Sequence, residues 1–388
     1  MKRIILLTIC VAFFLSGCSG ATIYSDYREL ETLELIRTVG IDVTENGIKL
    51  TVGTGVGIDG TSTRVYQKES DTLSRALDEL QRDFVKEDAF FAHTEHIVIG
   101  EEAAKKGIQG YLDFIAREME MRLSTNLFVV VGASAEEAIV SVAGEKSAAA
   151  DMLTALREDV TLLSEGYVYS SGDVIINLAR EGHSLVMAIE VADSNEVATD
   201  VSSEKVLVPA GYVVLRDGKT LGHIDSELAG GVGIFTGKMD NERIVVSDGD
   251  GGKITLILTK TKLKINPEYK DKEIKSVNLE IDMFLSIDEV ETNTDISSDS
   301  VRKYLAKQVE QQERERQEGL IALARELDTD FCNIGRKIEM KMPVKFAKLQ
   351  TQWEDAFADM TFNININASI VRTYDLNNPI GVGGEDGE

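Results

Sequence analysis

The chain has 388 residues, 43% of them hydrophobic and 28% charged, enough for two or three domains with apolar cores and incompatible with a disordered or collagen-like polymer. Acidic residues outnumber basic ones by 66 to 41, a formal charge of −25, and a surface this acidic repels phosphate backbones, so nucleic acid is not an expected partner. Three cysteines, Cys10, Cys18 and Cys332, are too few and too scattered for a disulfide framework or a cysteine-ligated zinc.

Lys2 and Arg3 precede an almost unbroken apolar run, Ile4 to Leu15, which is shorter than the roughly 20 residues a helix needs to span a bilayer. Residues 1–17 therefore read as a signal peptide. Leu15-Ser16-Gly17-Cys18 resembles the lipobox of bacterial lipoproteins, so Cys18 is expected to carry a diacylglyceryl lipid and to become the first mature residue. Cleavage there discards Cys10, leaves Cys332 as a lone thiol, and removes Lys2 and Arg3, so the body carries −27. Such a body is not drawn to an anionic lipid surface by its net charge, and the acyl chains must supply the attachment to the membrane.

Ser19 to Tyr27 reads as a polar tether. Ile41 to Gly57 has the alternation of a hairpin, turning at Glu45-Asn46-Gly47 and returning through Ile48 to Val52. A helix starting at Ser70 or Asp71 places Leu73, Leu77, Leu80 and Phe84 on one face. His96 to Ile99 reads as a buried strand, Glu101 to Met119 as one helix with Ile108, Leu112 and Ile115 inward, and Leu127 to Val131 as a further strand. Ser134 and Glu137 have the spacing of a capping box. Val191 to Lys205 is polar and aperiodic, and marks the expected boundary between an N-terminal domain, 18–197, and a C-terminal domain, 206–376. Beyond it, a hairpin is expected at Arg216-Asp217-Gly218-Lys219, and strands at Ile244 to Ser247, Lys253 to Ile265 and Glu273 to Val290. Ser298 to Leu327 reads as a long helix whose centre, Glu310 to Glu318, is charged on all sides and expected to be solvated. Phe362, Ile364, Ile366, Ala368 and Ile370 alternate with Asn363, Asn365, Asn367 and Ser369, a strand with one core face. Residues 377–388 form an acidic glycine-rich tail. The fold class is α+β, with two to three serial mixed domains and antiparallel-rich sheets covered by helices.

Catalytic and ligand motifs fail on their context. Gly55-Val56-Gly57-Ile58-Asp59-Gly60 has the spacing of a dinucleotide fingerprint but leads into the polar, β-like Thr61 to Tyr66 and opens no helix. Asp248-Gly249-Asp250-Gly251-Gly252 lacks the ligand spacing of a calcium loop and reads as a hairpin turn. His93 and His96 enter a strand, whereas zinc enzymes pair histidines four apart on a helix. Ser170-Ser171-Gly172 and Gly182-His183-Ser184 lack the glycines of a nucleophile elbow. With Trp353 as its only tryptophan, the chain is also poorly equipped for a sugar-stacking cleft. No catalytic centre, cofactor or metal is expected. Two other classes are alternatives: a solute-binding lipoprotein of a transporter, which needs two lobes joined by crossover strands and an aromatic-lined cleft, and a secreted hydrolase.

The layout resembles the Ger(x)C family, the C subunits of spore germinant receptors. Asp26-Tyr27-Arg28-Glu29-Leu30 followed by Val39-Gly40-Ile41-Asp42 is similar to the family's D-x-R-E-[IL] element and its GID strand. His96 to Ile108 is similar to its strand-into-helix signature, and Arg117 to Arg122 to the arginine-bracketed end of that helix. Gly218-Lys219 through Gly251-Gly252-Lys253 is similar to its hairpins, and Asp330, Met342-Pro343 and Trp353 ahead of the closing strand to its C-terminal block. Two features depart from the pattern: Cys18 is followed by Ser19 instead of Trp, and the family's Asp-Phe-Gly-rich stretch appears only as Asp330-Phe331-Cys332-Asn333-Ile334-Gly335. The resemblance implies a lipid-anchored, non-catalytic subunit on the outer face of the spore inner membrane. Its partners would be the A and B receptor subunits, and its role nutrient-triggered germination. It also implies three mixed α/β domains, which leaves open a division of the second near Asp271, and it supplies no mapped ligand residues.

Overall fold

The computed structural model describes residues 33–55, 63–84, 88–118, 120–144, 147–194, 205–237, 241–270, 273–292, 294–347 and 353–372. Cys18, the signal segment, the tether with its D-x-R-E-L element, most of the Gly55–Gly60 motif and the acidic tail lie outside them.

The first sheet is built from β1 (Leu33–Val43), β2 (Ile48–Thr54), β3 (Val65–Ser70), β4 (Asp88–Phe90), β5 (His96–Ile99), β6 (Asn126–Val130), β7 (His183–Asp193), β8 (Lys205–Arg216) and β9 (Lys219–Ile224). Among the described residues its order is β3-β2-β1-β5-β6-β7-β8-β9, with β4 added beside the start of β1. β1, β5, β6 and β7 run parallel at its centre, and antiparallel hairpins flank them on both sides. Segment 191–205, the expected domain boundary, thus falls between two paired strands: Val191 faces Leu207 and Asp193 faces Lys205. β8 is buried along most of its length and behaves as an interior strand, so β8 and β9, which follow that boundary, extend the first sheet.

Helices cover both faces: α1 (Leu73–Gln81), α2 (Glu101–Lys106), α3 (Gln109–Arg117), α4 (Ala135–Val140), α5 (Ala149–Leu162), α6 (Ser171–Glu181) and α7 (Ser226–Thr236). The single helix expected over Glu101–Met119 is broken after Lys106. Gly107 has φ +127, a value side-chain-bearing residues rarely adopt, and the Ile108 amide then donates to Gly218 O (2.7 Å) in the β8–β9 turn. One face of the sheet packs on α1, α2, α3 and α6 through Ile36, Leu80, Ile97, Ile115 and their neighbours. The other packs on α4, α5 and α7, and its core runs on without a break into the second sheet.

That second sheet, β10-β11-β12-β13, consists of β10 (Arg243–Ser247), β11 (Lys253–Lys270), β12 (Glu273–Val290) and β13 (Thr361–Arg372); β13 runs parallel to β12 and the other pairings are antiparallel. The point near Asp271 lies outside the described residues, between the paired ends of β11 and β12. Asp248 makes the β10–β11 turn as its sequence suggests, its carboxylate accepting from the amides of Asp250 and Gly252 (2.9 Å each) and from the Thr294 hydroxyl. Covering this sheet are α8 (Asp299–Glu326), α9 (Ile334–Lys341), α10 (Pro343–Phe346) and α11 (Trp353–Asp359).

The expectation of a solvated centre in α8 is overturned. Leu305, Val309, Glu313, Gln317, Leu320, Ile321 and Ala324 are all buried, so the inward stripe with its spacing of four passes straight through the charged stretch. Gln317 donates to Glu313 (2.7 Å), and the Arg316 guanidinium pairs with Glu313 (3.0 Å) and with Glu242 beside β10 (2.8 Å). Glycines in α7 allow this approach: a Cβ on Gly231 would stand 2.8 Å from Leu320 and 2.9 Å from Arg316. Glu310 and Arg314 turn toward β13, where Glu310 accepts from the Ala368 amide (3.0 Å) and Arg314 donates to the Ile364 carbonyl. These side chains satisfy backbone groups along the outer edge of β13, a position where an unpaired strand invites association.

Candidate functional site

Two places gather the residues that carried the sequence argument. At the first, the carboxylate of Asp42, at the end of the GID strand β1, accepts from the amides of Ala135 and Glu136 (2.8 Å each), and Ser134 Oγ accepts from the Glu137 amide (3.0 Å). Together they satisfy the exposed amide end of α4. Gly100, the hinge between β5 and α2, is packed so closely on Asp42 that a Cβ there would overlap its carboxylate. The GID element, the strand-into-helix signature and the Ser134 cap therefore converge on one joint, built by burial and hydrogen bonding.

The second place is a polar cleft where the two sheets meet. Two adjoining recesses of about 270 Å³ each lie between the end of α6 with the start of β7 on one side, and the 328–333 turn, α9 and α11 on the other. Asp330 organises the latter wall. It is 3% exposed, and its Oδ1 accepts from the Ile334 amide (3.0 Å), while Oδ2 accepts from the Gly335 amide (2.6 Å) and from Trp353 Nε1 (2.9 Å). One carboxylate thus caps α9 and ties it to α11. Burial pushes its pKa up to about 6, against three donors that hold it down. Across the cleft, His183 Nε2 meets Asn333 Oδ1 at 3.3 Å, Arg336 approaches Glu181 (3.7 Å), and Arg216 pairs with Glu354 (3.2 Å) and Asp328 (3.7 Å). Burial lowers the pKa of His183, which stays neutral at physiological pH. The side chain of Cys332 is buried and its thiol is pushed well above its ordinary range by desolvation, so it offers no thiolate nucleophile.

Chemically, this is a joint. Asp330 has its donors, His183 meets Asn333, and the ion pairs bridge one wall to the other. His93 and His96 do not converge: His93 is exposed, whereas His96 is buried against Thr154 Oγ1 (2.9 Å), and burial lowers its pKa to about 4. Among the described residues no group of three or more His, Cys, Asp or Glu is placed to hold a metal ion, and no helix is long and apolar enough to cross a membrane. Sequence reading singled out Asp330, Asn333, Gly335 and Trp353, which the fold brings together. It missed Arg180, Glu181, Arg216 and Arg336, whose only signal was charge beside a helix end or a turn.

Known families account for most of this chain. Residues 26–191 match the family described as Spore germination protein N-terminal domain, and residues 210–374 match Spore germination B3/GerAC like, C-terminal. The chain belongs to the Ger(x)C family of germinant receptor C subunits. The gap between the two matched segments coincides with the β7–β8 connection, so both Ger(x)C segments contribute strands to the first sheet. Among solved structures, the chain is similar to the crystal structure of the GerBC protein, with a TM-score of 0.57 and 16% identity over 86% of this chain and 96% of that one, a likeness of fold. No curated protein sequence matches it.

Proposed function

We propose that this chain is the lipid-anchored, non-catalytic C subunit of a germinant receptor, held to the outer face of the spore inner membrane by a diacylglyceryl group on Cys18 and required for nutrient-triggered germination. The observation that carries the reading is the ordered match of both family segments over residues 26–191 and 210–374, behind a lipobox at Leu15–Cys18. The cleft supports a scaffold role: its carboxylate ties α9 to α11, its imidazole at the start of β7 meets Asn333 ahead of α9, and its thiol is buried. A core continuous from the first sheet into the second suits a subunit that presents one rigid surface to the A and B subunits. Replacing Cys18 by Ala tests the reading. The variant should leave the membrane fraction and germinate poorly in response to nutrients, and a Cys18→Ala protein that stays membrane-bound with normal germination refutes it.

A further inference from the structure

The overall charge of −25 hides a local reversal. The run Ile334–Phe346, comprising α9, Met342 and α10, holds Arg336, Lys337, Lys341 and Lys345 against Glu339 alone, and Glu339 accepts a hydrogen bond from Arg336. In the same run stand the two most exposed large apolar side chains among the described residues, Met340 at 64% and Val344 at 80%. Exposed Pro343 lies between them, and exposed Lys341 and Lys345 flank them.

The run is firmly seated from beneath. Ile334, Ile338 and Phe346 are buried, and the Phe346 ring lies 5.2 Å from that of Trp353. Lys341 Nζ donates to Ile265 O (2.9 Å) and Lys345 Nζ sits 4.5 Å from the Tyr269 ring centroid. Neither ammonium has a carboxylate partner among the described residues, so both keep charge to offer an anion. Apolar tips ringed by cationic heads on flexible stems match the boundary of an anionic bilayer, where tips enter the headgroup region and ammonium groups meet phosphates.

The chain's path fits this placement. Thr38 is level with His96, His96 with Asn126, and Phe128 with Met187, which puts Leu33, the start of β1, at the end of the first sheet from which His183 enters. His183 meets Asn333, the residue that begins α9. Cys18 is fifteen residues before Leu33, a reach of at most about 50 Å, so a tether from Cys18 starts at the end of the sheet where α9 docks.

We infer that the Met340–Lys345 face rests on an anionic lipid surface and fixes the orientation of the tethered protein. The tether rests on the Cys18 reading; the face itself does not. The test uses the lipidated chain with Val344→Cys carrying an environment-sensitive fluorophore, since buried Cys332 stays unlabelled, and with Asn46→Cys in the exposed β1–β2 turn, at the opposite end of β1 from Leu33, as the remote site. In vesicles containing phosphatidylglycerol, nitroxide-bearing lipids should quench the label at 344 at least twofold more than at 46. Phosphatidylcholine vesicles, or Lys341→Glu with Lys345→Glu, should abolish the difference. Equal quenching at the two sites, or quenching at 344 that ignores the anionic lipid, overturns the inference. So does protection of 344 that appears only when other receptor subunits are added. Flotation with pure phosphatidylcholine vesicles reads the Cys18 anchor separately: a chain that fails to float refutes lipidation, while the quenching contrast in phosphatidylglycerol still decides the face.

Discussion

Trp353→Phe isolates the bond that ties α11 to α9. The indole N–H is one of three donors to the buried Asp330 carboxylate, at 2.9 Å, and the ring is 8% exposed between Phe346 and Phe357. A hydrogen bond to a charged group contributes about 1.5–3 kcal/mol, and shrinking the ring adds about 1 kcal/mol of lost packing, so the variant should lose about 3 kcal/mol, roughly a hundredfold in the folded-to-unfolded ratio. The loss has a pH signature. Asp330 binds its proton more tightly folded than unfolded, so its contribution to stability is complete below about 3.8 and is lost as pH rises through about 6. Removing a donor that favours the carboxylate raises the folded value further, so the decline should extend to higher pH in the variant. Urea unfolding followed by far-UV circular dichroism at pH 4 to 8 measures both effects, the variant having lost the only tryptophan. A variant within about 0.5 kcal/mol of the parent at every pH refutes the assignment of Asp330 and Trp353 as the clasp of this joint.

Asp42→Asn should leave one of the Ala135 and Glu136 amides facing an NH₂ group, cost about 1–2 kcal/mol, and speed hydrogen exchange at those two amides; unchanged exchange would count against the cap. Arg316→Met leaves buried Glu313 and half-buried Glu242 without their cation, at a cost of about 3–5 kcal/mol. Burial already raises Glu313 from 4.5 to about 7, so its contribution is lost as pH rises through about 7, and the Met variant should be weaker at pH 8 than at pH 5 in urea titrations. Cys332 should resist a thiol reagent in the folded protein and react once the chain unfolds; labelling at the rate of a free thiol contradicts its burial.

What the sequence disclosed followed from local periodicity. Alternation revealed β13 with Ile364 and Ile366 inward, and turn chemistry revealed the Asp248 hairpin. Where tertiary contacts decide, local patterning misled. Gly107 looks tolerable inside a helical pattern until the Gly218 carbonyl is seen waiting for the Ile108 amide. The polar stretch 191–205 does mark where the two matched family segments part, but its local polarity gives no sign that β8 beyond it pairs back onto β7. The clasp was half legible: Asp330 and Trp353 stood out as parts of a familiar block, but a bond across 23 residues, or one from His183 to Asn333 across 150, leaves no periodic trace.

The charge argument shows the same limit. A net charge is a sum over the whole chain, but a lipid surface senses only the charges within about a Debye length, roughly 8 Å at physiological salt. Exposed Lys341 and Lys345 on the Met340–Lys345 face can therefore meet an anionic surface while the acidic excess elsewhere is screened. Each lysine near such a surface contributes only about 1 kcal/mol, too little to hold a protein of this size on its own. Once a tether confines the protein to the membrane, however, the local concentration of lipid is high and weak contacts suffice to select one orientation. In the proposed arrangement the acyl chains at Cys18 provide attachment and the Met340–Lys345 face provides direction, so the acidity that argued against electrostatic attachment leaves electrostatic orientation open, and the quenching contrast between residues 344 and 46 measures it.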